Sequence, residues 1–242
     1  MTVDALLGGR FPRRIGDVLA LMRALEDALP PGDGVAWFLR LYRPVTEDVE
    51  AAAASDGAFA DPRCLRWLDV VFANLFFRAL RNWGRAPATA PRAWAPFLEA
   101  RSRPGIAPIQ FALAGMNAHI NRDLPFALVE TWAALGLEPD RGGPQHRDFM
   151  LVNDLIEAAE ARVKEAFATG ALGHVERSLG DVDDVVAIWK VSRARDAAWA
   201  NAETLWALRG VPGVRTEFAA ALDRLVGFAG RGLLRCPAPD LT

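Results

Sequence analysis

AGMNAHINRDLPFALVETW, residues 114–132, places Asn117, His119, Asn121 and Asp123 at every second position of an otherwise apolar segment and follows them with Pro125. Strict alternation is a strand pattern, yet the flanking apolar residues keep helical spacing. On a wheel turning about 100° per residue, Leu113, Ile120 and Leu124 point one way, and Ala118 and Arg122 the other. The alternation then resolves into two helical pairs. His119 and Asp123 share one border of the apolar stripe, and Asn117 and Asn121 share the other. Pro125 has no N–H for the carbonyl of Asn121, and its ring pushes that turn open. A kinked central helix is expected, with a free carbonyl beside the His/Asp pair.

Outward from this segment the same periodicity recurs, and no Val/Ile/Thr/Tyr-rich alternating run suggests a strand. Helices are expected over 15–28, 35–42, 61–82, 91–100, 146–168, 182–208 and 214–228. Pro30-Pro31-Gly32 ends the first, and Pro44 stops the second, with Thr46 as the N-cap of a new helical start. Asp61-Pro62 is a cap followed by a first-turn proline. Asp181 caps its helix, with Asp183 and Asp184 in the acidic first turn. The fold class is all-α, a single multi-helix domain over 1–242 with a proline-kinked central helix. A weak boundary falls near 136–145, and 231–242 reads as a loosely held tail.

Composition narrows the function. The 242 residues are 52% hydrophobic, enough for a full core. The 28 Lys and Arg are scattered among 30 Asp and Glu, for a net charge of −2, so no cationic face points to nucleic acid. No apolar run nears the ~20 residues of a membrane span. Cys64 and Cys236 form no framework, and the N-terminal stretch lacks a signal-peptide core. These features indicate a soluble, cytoplasmic domain.

Two further helices carry polar residues to the core margin. His146 and Asn153, seven apart, lie along one edge of the stripe formed by Phe149, Val152 and Ile156. In 182–208 the arc of Ile188, Trp199 and Trp206 also holds Asp196, with Trp189 and Arg193 beside it. An Arg/Asp pair inside an aromatic arc is costly unless partnered. A polar pocket is therefore expected where the three helices meet. His119 is its general base or a metal ligand, and Asp123 orients the imidazole or co-ligates. Asn117, Asn121, Asn153, Arg193 and Asp196 are candidate substrate-binding residues. His119, Asp123 and His146 are a candidate ligand set for a divalent metal such as zinc or iron. His174, in a glycine-flanked loop, is given no role.

The chain lacks H-E-x-x-H, E-x-x-H, G-x-S-x-G and phosphate-cradling glycine motifs, which argues against zincins, ferritin-like di-iron bundles and nucleophile-elbow hydrolases. What remains is a small-molecule enzyme of hydrolase or lyase/cyclase type. The rival reading is a non-catalytic helical binding or scaffold protein whose buried His, Asp and Asn residues only lock the core.

The runs GMNAHINRDLP (115–125), HRDFMLVNDLI (146–156) and WKVSRARDAAWANAETLW (189–206) resemble an uncharacterised all-helical family common in actinobacteria, with N-A-H-I-N-x-D-L as its signature. The resemblance extends from about Arg40 onward and implies that the three segments belong together. It brings no activity with it. A looser likeness, to the helical zinc phospholipase C and P1 nuclease group, implies His and Asp ligands on long helices, although the chain holds three histidines.

Overall fold

The computed structural model describes residues 2–168 and 191–235, excepting the side chains of 159–168. Every regular element among them is helical. These are α1 (Val3–Leu7), α2 (Ile15–Ala28), α3 (Gly34–Ala53), α4 (Pro62–Arg85), α5 (Ala95–Ala100), α6 (Pro108–Ala118), a π turn (His119–Asp123), α7 (Leu124–Leu135), α8 (Pro144–Ala168), α9 (Val191–Ala207) and α10 (Pro212–Leu233), with single 3₁₀ turns at Pro87–Thr89 and Leu208–Gly210. His174, Asp181, Asp183, Asp184, Ile188, Trp189 and Cys236 lie outside the described residues.

The helix starts follow local chemistry. Asp61 accepts from the Cys64 N–H at 3.0 Å, with Pro62 in the first turn, as the sequence predicts. Asp33 accepts from the Val35 N–H at 2.8 Å to open α3, and Arg101 clamps its other oxygen at 2.7 Å. Gly136, in the left-handed region at φ 65°, closes α7, and the Leu137 N–H returns to the Trp132 carbonyl.

Pro44 does not end α3, which is a correction to the sequence reading. The helix runs through it to Ala53, and Thr46 is no N-cap but a buried residue donating to the Tyr42 carbonyl at 3.2 Å. An interior proline costs ~3 kcal/mol. Here the buried stripe Phe38, Leu39, Val49 and Ala53 continues past it on one face. Each large side chain on such a stripe contributes about 1.5–3 kcal/mol, enough to hold the helix together.

Two hydrophobic cores result. One gathers α1, α2, the first half of α3, the second half of α4, and α5 and α6 around Phe38, Phe76, Trp94 and Phe97. The other gathers the far halves of α3 and α4 with α7, α8 and α9 around Phe72, Leu128, Trp132, Phe149 and Trp199. The central rod from α6 through the π turn to α7, 28 residues long, passes through both. Tyr42 and Met116 pack against both cores. They mark the seam where the site lies. The rod approaches α3 closely because Gly115 has no side chain: a Cβ there would stand 2.5 Å from the Phe38 ring.

Candidate functional site

Pro125 acts on the rod through a π turn. A π turn takes up one extra residue, so the Leu124 N–H bonds the carbonyl of His119. Pro125 thereby falls in the first turn of α7, where a missing N–H costs little. The extra residue also shifts the helical phase. His119 and Asp123, at the border of the stripe on a regular wheel, are turned inward and are 2% and 0% exposed.

Inside, Asp123 is saturated. One oxygen accepts from the Trp94 indole N–H at 2.9 Å and faces His119 Nδ1 at 3.1 Å, and the other accepts from Arg122 at 2.7 Å. Burial by itself would raise this carboxyl. The bonds from His119 and Arg122 outweigh it and hold Asp123 below the usual carboxylate range. Burial pushes the His119 imidazole down, against the pull of Asp123, so the ring is neutral at neutral pH. With Asp123 ionised, the hydrogen-bond pattern assigns the ring proton to Nδ1. Nε2 is then a bare lone pair, and it is buried without a partner. The ring is fixed face to face on Phe72, centroids 3.5 Å apart, with Tyr42 edge-on at 4.7 Å.

His119 lines a cavity of about 80 Å³ at the seam between the cores. A water needs roughly 10–15 Å³ on this measure, so the space holds several waters or part of a small molecule. Most of its wall is aliphatic or aromatic, with Phe38, Val49, Leu65, Phe72, Ile120 and Ile156 among the contributors. Four more polar side chains line it, Tyr42, Thr46, Asp69 and Arg195, and the Thr46 hydroxyl donates to the Tyr42 carbonyl. The Tyr42 hydroxyl is buried beside the Thr46 hydroxyl, and one Asp69 oxygen is buried without a partner. Burial, with the neighbouring Asp69, pushes the phenol up, and it stays protonated. Burial also pushes Asp69 up to about 7, with Arg195 opposing. The cation of the set is Arg195, 6% exposed, lowered by burial to about 10 and still cationic at neutral pH.

The other expected residues are placed elsewhere. Asn117 donates to the Val226 carbonyl at 3.0 Å and accepts from Asn121 at 3.1 Å, fastening α10 to the rod. Asn153 accepts from Arg195 Nε at 2.6 Å, behind the cavity wall. Arg193 and Asp196 are exposed on α9. The buried stripe of α9 is Val191, Arg195, Ala198, Trp199, Ala202 and Leu205, one step out of phase with the arc read from its tryptophans. His146 packs edge-on against Trp199 at 4.6 Å and is not part of the cavity lining. His119, Asp123 and His146 therefore do not assemble as a ligand set. No group of three potential ligands is found among the described residues, and both oxygens of Asp123 already accept from protein donors.

Tyr42, Asp69 and Arg195 escape the sequence reading. Tyr42, the only tyrosine in the sequence, continues the Phe38 row at i+4, but it is the last residue of the helix expected over 35–42, where a side chain is not marked as core. Asp69 directly follows Leu68 within the apolar run of α4, and that intrusion is a usable signal.

Residues 15–236 match the model of a family described as a family of unknown function, DUF5995. The match starts ahead of Arg40, where the sequence resemblance begins. No curated protein and no solved structure matches the chain. Among the described residues, no helix is long and apolar enough to cross a membrane.

Proposed function

We propose a function for this chain, which belongs to the DUF5995 family of unknown function: it is a small-molecule enzyme of hydrolase or lyase/cyclase type, working by acid–base chemistry in the seam cavity. The run 117–124, which carries the N-A-H-I-N-x-D-L signature, supplies the base. One observation carries the reading: His119 offers an unpartnered, buried Nε2 to an apolar cavity while Asp123 holds its other nitrogen. A neutral, oriented imidazole with a buried carboxylate behind it is a general base whose conjugate acid is stabilised as it forms. Nε2 takes a proton from the substrate or from a substrate-bound water, and Asp123 balances the imidazolium. Tyr42 and protonated Asp69 supply the acid side, so the two environments separate a base from an acid within one cavity.

The test is turnover of a mixture of esters, lactones and epoxides with apolar substituents, followed by mass spectrometry. His119→Gln should lower turnover by about 10²–10⁴-fold while circular dichroism is unchanged. Equal turnover by the variant would overturn the reading. The saturation of Asp123 favours one rival, a core lock in a non-catalytic binding or scaffold protein. That rival predicts loss of stability in His119→Gln with no turnover to lose.

A further inference from the structure

We propose that the molecule held in the cavity is apolar and ends in a single carboxylate, seated on the guanidinium of Arg195. The inference rests on reading the cavity as a small-molecule site and adds the class of ligand. Arg195 lines the cavity at 6% exposure. Nε donates to Asn153 Oδ1 at 2.6 Å and Nη2 to the Phe149 carbonyl at 2.7 Å, with the group lying 4.0 Å over the Phe149 ring. These contacts fix its orientation, but every one of them is neutral. A charge buried in apolar surroundings is costly until an opposite charge meets it.

No protein carboxylate fills that role among the described residues. Asp69 shares the cavity and feels Arg195 through space, but no ion pair joins them, and one of its oxygens has no partner. Glu50 is taken by Arg66 at 2.9 Å, Asp123 by its three donors, and Asp196 is exposed. A guanidinium matches a carboxylate in shape and charge. One cation balances one carboxylate but leaves a phosphate, at about −1.5 to −2, undercompensated. The protonated Asp69 donates a hydrogen bond to the same head group, and the aliphatic wall takes the tail.

Calorimetric titration of the full chain with octanoate, octanol and octylamine tests this. Octanoate should bind about ten- to a hundredfold tighter than octanol, the usual worth of a charge-assisted bond, with octylamine weakest. Arg195→Met should erase the preference. Should that variant fail to fold, Asp69→Asn keeps the proposal open to refutation. The titratable and charged groups around Asp69 are Tyr42 and Glu50 of α3, His119 of the π turn and Arg195 of α9, while α8 presents Val152 and Ile156 to the cavity. Raising the pH from about 6 to about 8 ionises Asp69 beside the bound anion, so octanoate should weaken several-fold, and Asp69→Asn should flatten that fall. Octanol binding as tightly as octanoate, or an octanoate affinity with the same pH dependence in both proteins, would overturn the assignment. Binding is read without turnover. A missing octanoate preference therefore leaves the acid–base reading standing, and a full preference in a protein whose His119→Gln variant turns over normally removes that reading alone.

Discussion

Replacing Asp123 by asparagine keeps the side-chain volume and removes the charge on which Trp94, His119 and Arg122 converge. The carboxylate accepts from all three, at 2.9, 3.1 and 2.7 Å, with no exposed surface. An amide has one acceptor oxygen and two donor hydrogens, so at least one of the three donors then faces another donor. Losing two charge-assisted bonds at about 1.5–3 kcal/mol each predicts a loss of about 3–6 kcal/mol. For a chain of this size that lowers Tm by about 10 °C. The loss should also depend on pH. Asp123 has a folded pKa below its unfolded one, so its contribution is present above about pH 4 and is lost as pH falls through the folded value. Wild type and variant should converge in acid. Thermal and urea melts at several pH values measure this. A loss below about 1 kcal/mol at neutral pH would refute the saturated-carboxylate account.

Asp69→Asn should act in the opposite direction. The folded pKa of Asp69 is raised to about 7, so the protonated form stabilises fully below its unfolded pKa, and this is lost as pH rises through about 7. The variant should therefore gain on wild type in urea melts as pH rises from about 5 to about 8, and a parallel pH profile would count against the buried carboxyl. Asn117→Ala leaves the Val226 carbonyl without its donor and should cost about 1–3 kcal/mol by thermal melt, with protection of α10 amides reduced in hydrogen exchange. Gly227→Ala should lift α10 from the turn at 92–94 and lower Tm, because a Cβ there would stand 2.4 Å from the Arg92 carbonyl oxygen; an unchanged Tm would show that α10 does not sit on that turn.

The helical class was legible because the spacing of apolar residues repeats along nearly the whole chain, and caps such as Asp61-Pro62 have strong local chemistry. Two things were hidden. Prolines act through their surroundings: Pro44 reads as a stop, but burial on both sides carries α3 through it, and the proline at 125 does not by itself reveal that the break takes the form of a π turn. Phase within a helix was the other. The π turn rotates His119 and Asp123 inward in a way a regular wheel cannot show. In α9 the tryptophans misdirect the reading by one position, putting Arg193 and Asp196 inside in place of Arg195. A buried arginine contradicts the transfer cost that sequence reading relies on, and such a contradiction is expected at a site. The His119/Asp123 pair was legible because four-residue spacing survives the change of turn, whereas Tyr42, Asp69 and Arg195 converge only through tertiary packing.

Acid–base chemistry in the cavity requires that His119 present an unprotonated Nε2 to it. Nitrogen-15 NMR of the imidazole, followed from neutral pH into mild acid, tests it most directly. The expected spectrum has a proton on Nδ1 and a bare Nε2, with the neutral ring persisting below the ordinary histidine pKa of about 6.5. The Nε2 signal should then shift when octanoate enters the cavity. A ring already doubly protonated at neutral pH, or carrying its proton on Nε2, would contradict it.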